Sequence, residues 1–124
     1  MSDQGTSAKK RLFSIVSVLL IISLTATPAM AFGGTSYGGT ITSVDARSDG
    51  NFSITFTPAA TGSPACANAS STQMTGSATT ANGKAMLAVA LSTFLAGKKA
   101  NIEGLGLCNE YAGYESISRI QGAN

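Results

Sequence analysis

Apolar and polar positions divide the chain into one leading apolar run and a later series of short alternating segments. The run, Leu12 to Leu24, is interrupted only by serines. Beyond it, Thr40-Ile41-Thr42-Ser43-Val44 is rich in β-branched residues and predicts a first strand. Asp45 to Gly50 ends in an Asp-Gly turn signal. Phe52, Ile54 and Phe56 then alternate with Ser53, Thr55 and Thr57. This period of two predicts an apolar core face and a hydroxyl face toward solvent. Strand, turn and strand together read as a hairpin. Pro58 to Ser71 is a low-complexity loop around Cys66. Thr72 to Thr79 predicts a weaker third strand, with Met74 and Ala78 on one face and Gly76 interrupting it.

The period then changes. Lys84 to Ala96 is dominated by good helix formers, with Thr80 or Asn82 placed to cap it. Leu87, Leu91, Phe94 and Leu95 fall at i, i+4, i+7 and i+8, a stripe expected to face the core. Gly97 stands where a left-handed residue ends a helix, and Lys98 and Lys99 lie beside the negative helix end. Ala100 to Cys108 predicts a fourth strand carrying Ile102, Leu105 and Leu107, with a bulge or kink at Gly104. Asn109 to Tyr114 is a polar and aromatic loop, and Glu115 to Gln121 a fifth strand. Ile117 and Ile120 are three apart, so either a bulge intervenes or both faces are covered.

The leading run carries the pattern of a secretory signal. Lys9, Lys10 and Arg11 precede it, Pro28 follows, and Ala29-Met30-Ala31 is a small-x-small site, which predicts cleavage between Ala31 and Phe32. The run is short of the roughly 20 apolar residues that span a bilayer, so an uncleaved anchor is the weaker reading. The layout is therefore a signal peptide over 1–31, a flexible glycine-rich lead-in over 32–39 and one domain over 40–124. The exported chain, periplasmic or secreted, is expected to have no stable membrane insertion once cleaved.

Composition narrows the chemistry. The 124 residues include no histidine and two cysteines, and only 11% are charged. A Ser/His/Asp triad and a histidine-ligated metal are excluded outright, and no cofactor motif is present. The formal charge of +2 belongs to the leader: beyond Ala31, five basic residues meet five acids. A neutral, charge-poor domain has no long-range field for nucleic acid. Asp45 and Asp49 are too few carboxylates for calcium and read as a solvated turn. Glu103, Glu110 and Glu115 would have to meet in space to act as a glycosidase pair, and surface solvation is the commoner fate of such residues. The chain is read as non-enzymatic.

Both cysteines lie beyond the leader. In an exported chain the two are expected to pair. The bond between Cys66 and Cys108 would close a loop of about 43 residues, worth about 4 kcal/mol in the chain-entropy model. Redox-active thiols are the alternative, against which the spacing, far from C-x-x-C, argues.

The order strand-strand-strand-helix-strand-strand, carried by GGTITSV, NFSITF, Cys66, GKAMLAVALSTFLAGKK, ANIEGLGLC and ESISRIQ, resembles the OB-fold. It is similar in particular to small exported OB-fold proteins related to the B subunits of bacterial AB-type toxins, the subtilase-cytotoxin and pertussis-like groups. That resemblance implies a small five-stranded barrel capped by a helix, with one disulfide across it. It also implies a non-enzymatic domain, often a homo-oligomeric ring, that binds a cell-surface glycan and carries a toxic protein partner. A serine near the first strand contacts the sugar in the sialoglycan-binding members. Ser36 is the nearest candidate here, with Tyr37 competing for the matching position.

In OB-folds the loops joining strands one to two and four to five flank the usual binding face. Asn109, Glu110, Tyr111 and Tyr114 fall in the second of these and are candidate ligand contacts, since aromatic rings stack on sugars and amides and acids bond their hydroxyls. The bland alternative is that the tyrosines finish the barrel rim with their hydroxyls in solvent. The leading reading is an exported, non-enzymatic binding module for a glycan or a protein partner. Two other functional classes stay open: an envelope protein acting by self-association, and a small inhibitor presenting the Thr61–Ala65 loop beside Cys66.

Overall fold

The computed structural model describes residues 33–124. The expected signal peptide, its expected cleavage point at Ala31–Phe32 and the first residue of the expected lead-in lie outside the described residues. The chain forms β1 (Thr35–Ala46), β2 (Asn51–Thr57), β3 (Gln73–Ser77), α1 (Ala81–Leu95), β4 (Lys99–Gly104) and β5 (Glu115–Ala123). The strands close into one barrel in the order β1-β2-β3-β5-β4. Every neighbouring pair is antiparallel except β3 and β5, which run parallel where Met74 meets Glu115 and Thr75 meets Ser116. This is the small OB-like barrel with one helix that the order of elements predicted.

The apolar half of the alternation in β2 is realised, but the hydroxyl half is not: Ser53, expected to face solvent, is 1% exposed. Phe52, Ile54 and Phe56 are almost fully buried, and with Ile41, Met74, Ala100, Ile102, Ile117 and Ile120 they fill the barrel. Each such large side chain contributes about 1.5–3 kcal/mol by leaving water. Closure of so few strands requires sharp bending, and register shifts supply it. One extra residue, Thr42, sits between the pairs Ile41–Phe56 and Ser43–Thr55. Another lies at Tyr37–Gly38, between the pairs Ser36–Ile102 and Gly39–Ala100. A third, Ser118, lies between Gly104–Ile117 and Glu103–Arg119. Each bulge bends its strand and strengthens the twist. The third accounts for the spacing of Ile117 and Ile120: the bulge returns both side chains to the interior.

Three further expectations are corrected. The lead-in is not loose, because β1 begins at Thr35 and its first residues pair with β4 through Thr35–Glu103 and Ser36–Ile102. The fourth strand stops at Gly104, and Leu105 and Leu107 beyond it are exposed rather than core. The helix also turns a different face to the barrel. Gly83, Ala90 and Thr93 are its buried residues, with Met86 and Leu87 packed beside the core. Leu91 and Phe94 are about two-fifths exposed, and Leu95 is 79% exposed. Close approach explains the choice: a Cβ at Gly83 would lie 1.6 Å from the Ser77 carbonyl oxygen. The barrel end is already filled by aromatic and branched side chains, so small residues are admitted there and large ones are pushed to the flank.

The helix ends behave locally. Thr80, not Asn82, is the cap, its Oγ1 accepting the Gly83 N–H at 3.1 Å. At the other end Gly97 has φ +62°, the Gly97 N–H reaches Phe94 O and the Lys98 N–H reaches Thr93 O. That pair of bonds is the Schellman arrangement, and the left-handed residue it needs is the glycine.

Candidate functional site

The bulge at Tyr37–Gly38 decides where the first aromatic candidate points. Gly38 takes φ +61°, which lets two successive residues face outward, and Tyr37 is 60% exposed. Pairing of β1 with β4 and of β4 with β5 brings Glu103 and Arg119 alongside. The Tyr37 hydroxyl donates to Glu103 Oε1 at 3.1 Å, and the same oxygen receives Arg119 Nη2 at 2.5 Å. Both donors hold the Glu103 carboxyl below the usual carboxylate range, the Arg119 bond first. The same contact raises the Tyr37 phenol above its ordinary value. Asn101 Oδ1 accepts the Gly38 N–H at 2.8 Å, which leaves its amide NH2 for an outside acceptor. An exposed ring thus stands beside an acid, a guanidinium and an amide.

Ser36, one residue earlier, points the other way. It is 2% exposed and its hydroxyl donates to Pro58 O at 2.9 Å, so it is not part of this surface.

The candidates of the loop after β4 are brought together, but around one another. Ser116 Oγ accepts the Asn109 N–H at 2.8 Å and donates to the Glu110 carboxylate. The Tyr111 hydroxyl donates to the Asp49 carboxylate in the β1–β2 turn, and the Arg47 guanidinium carbon lies 4.4 Å from the Tyr111 ring centroid. The Tyr111 bond, followed by the Asn51 N–H, keeps Asp49 below the usual carboxylate range. Tyr114 is half-buried, and its N–H closes a turn onto Tyr111 O. The two loops expected to flank a binding face are therefore latched to each other.

The third feature was not foreseen. Glu115 is 1% exposed, and its carboxylate accepts the Gly34 N–H at 2.9 and 3.0 Å and the Gly106 N–H at 2.9 Å. A Cβ at Gly104 would lie 2.1 Å from Glu115 Oε1, so glycine backbone is what makes room for the carboxylate. The three glutamates considered as an acid pair have separate partners: Glu103 holds Arg119, Glu110 holds Ser116, and Glu115 is sealed by backbone N–H groups.

Cys66 and Cys108 form a disulfide, with their Cα atoms 6.1 Å apart, tying the β2–β3 loop to the loop after β4. No helix among the described residues is long and apolar enough to cross a membrane.

Nothing in the local sequence marks Arg47, Asn101, Glu103 or Arg119 as a binding residue, and it marks Asp49 only as part of a solvated turn. Their relevance comes from register across the closed barrel, which local spacing does not encode. Comparison with known proteins matches no family model, no curated protein and no solved structure.

Proposed function

We propose that this chain is an exported, non-enzymatic binding module that presents its β1–β4–β5 face to a glycan. The observation that carries the reading is the Tyr37 ring, 60% exposed on a bulge and flanked by Glu103, Arg119 and Asn101. A saccharide offers apolar C–H faces and a rim of hydroxyls. The ring supplies the stacking surface, and the acid, guanidinium and amide supply acceptors and donors around it. The ion pair is already formed, so little side-chain freedom remains to be lost on binding. Export is supported by the disulfide, which persists in oxidising compartments. A toxin-type carrier subunit in a closed ring is the narrower form of this reading.

The test is a glycan array probed with the oxidised protein and with Tyr37→Ala. Tyr37 is exposed, so the variant keeps its fold, and binding is expected to fall at least tenfold. An oxidised, folded protein that binds no glycan, or a Tyr37→Ala variant that binds as well as the parent, overturns the proposal.

A second reading, self-association in the cell envelope, is favoured by the exposed helix flank of Val89, Leu91, Phe94 and Leu95. Size-exclusion chromatography with light scattering separates the two. Open polymers favour the envelope protein, whereas a closed ring or a monomer favours the binding module.

A further inference from the structure

Three hydroxyl residues lie in one row across the outside of the barrel. Ser53 pairs with Thr75 and Thr75 with Ser116. Their chain neighbours Ile54, Met74 and Ile117 point into the core, so strand alternation turns the three hydroxyls outward. An outward row on a sheet is normally wet, yet each of the three is 1% exposed. Something covers them. Residues 109–111 are bonded to Ser116, in the row, and to Asp49, in the turn four residues before Ser53. The segment between these two anchors is the candidate for the cover.

The cover is lightly held. Its closing contacts are polar: Asn109 N–H and Glu110 on Ser116, Tyr111 on Asp49, Arg47 on the Tyr111 ring, and the Ala69 N–H on Gly113 O at 3.0 Å. None of residues 105–114 belongs to the apolar core. Glycines with positive φ bracket the segment, Gly106 at +78° and Gly113 at +90°, and the disulfide at Cys108 fixes its base. Thr75 Oγ1 donates to Glu115 O at 3.4 Å, but in the same row Ser53 Oγ is buried without a hydrogen-bond partner. Buried hydroxyls are nearly always paired, so this one marks a position built for a partner the closed chain does not supply.

We propose that residues 109–113 are a latched strap over a second ligand site, and that opening it exposes the Ser53–Thr75–Ser116 row to a neutral, hydroxyl-rich saccharide. The inference rests on the glycan-binding reading and adds a regulated face to it. The row carries no charge, so the ligand is recognised by hydroxyl-to-hydroxyl bonds, with Ser53 Oγ gaining the partner it lacks. Elements held across their span by polar contacts rather than apolar packing open at the low end of a protein's local stabilities, as a gate over a site must. A ligand that binds only the open form gains apparent affinity in proportion to the open population.

The test uses the oxidised protein and the double variant Glu110→Gln/Tyr111→Phe, which keeps the ring under Arg47 but removes the bond to Asp49 and weakens that to Ser116. Native-state hydrogen exchange is expected to accelerate at least tenfold at the Asn109 and Ala69 amides, with the β2 amides unchanged. In an amide-shift titration with maltohexaose, cellohexaose and chitohexaose, at least one sugar is expected to shift Ser53, Thr75 and Ser116. That sugar should bind the double variant at least fivefold more tightly than the parent. Adding Ser53→Ala should cancel the gain while leaving the exchange rates of the double variant in place. Unchanged exchange at Asn109 overturns the latch. An open strap with no shifts along the row overturns the site. Shifts confined to Tyr37 and Gly38 overturn this inference and leave the Tyr37 reading standing, and no binding at either face overturns both.

Discussion

The Glu115 carboxylate takes the Gly34 N–H on both of its oxygens, joining the start of β5 to the residue just before β1. With Gly106 it accepts from backbone on two sides, and among the described residues it is the one acidic side chain that is fully buried. A buried charge is tolerated when it is fully hydrogen-bonded, and here backbone N–H groups supply the compensation.

Glu115→Gln keeps the shape but replaces an acceptor with an NH2 that faces backbone N–H groups. A carboxamide oxygen in the Oε1 position still accepts the Gly34 and Gly106 N–H groups, but the new NH2, facing the Gly34 N–H, is a buried donor left unpaired, at a cost of about 1–3 kcal/mol. Urea denaturation should show a lower midpoint with an unchanged slope. A midpoint equal to that of the parent would mean that the carboxylate contributes nothing to docking the segment before β1.

The helix offers a paired test of its orientation. Leu95→Lys alters a side chain that is 79% exposed and should change stability by no more than about 0.5 kcal/mol. Ala90 is fully buried against the barrel, so Ala90→Leu overpacks the contact and should destabilise by about 1–3 kcal/mol. Thermal or urea unfolding of both variants checks this, and the reverse order would restore the Leu87–Leu91–Phe94–Leu95 stripe as the core face.

Acid should loosen the latch between Tyr111 and Asp49. Hydrogen bonding from Tyr111 and then Asn51 lowers the Asp49 pKa in the folded chain. A depressed pKa stabilises the closed form above the ordinary aspartate value, and that contribution is lost as pH falls through the depressed one. Exchange-detected opening at Asn109, followed from neutral pH downward and corrected for intrinsic exchange, should rise only below the ordinary carboxylate range. In Asp49→Asn that acid-induced rise should vanish.

Replacing both Cys66 and Cys108 by serine removes a link across a sequence separation of 42. The loss expected for a small domain is about 2–5 kcal/mol. Denaturant midpoints of the variant should match those of the parent measured in reductant. A parent insensitive to reductant would contradict the pairing.

Much of the architecture is legible in the chain itself. The Phe52-Ile54-Phe56 alternation, the order of elements, the helix stop at Gly97 and the two cysteines all report local or covalent constraints, and each is realised. The choice of helix face was not legible. Apolar residues run around most of α1, so size rather than hydropathy selected Gly83, Ala90 and Thr93, and size matters only against a neighbour already in place. Tyr37 could be named as an aromatic near the first strand, but its partner Glu103 is 66 residues away. The Tyr111–Asp49 latch spans 62 residues, and Glu115 reaches Gly34 across 81. Amino-acid order settles which segments are extended, which is helical and which side chains leave water, because those preferences act over a few residues. Which polar groups meet was decided by barrel closure, where bulges at Tyr37–Gly38, Thr42 and Ser118 set a register that no local pattern specifies.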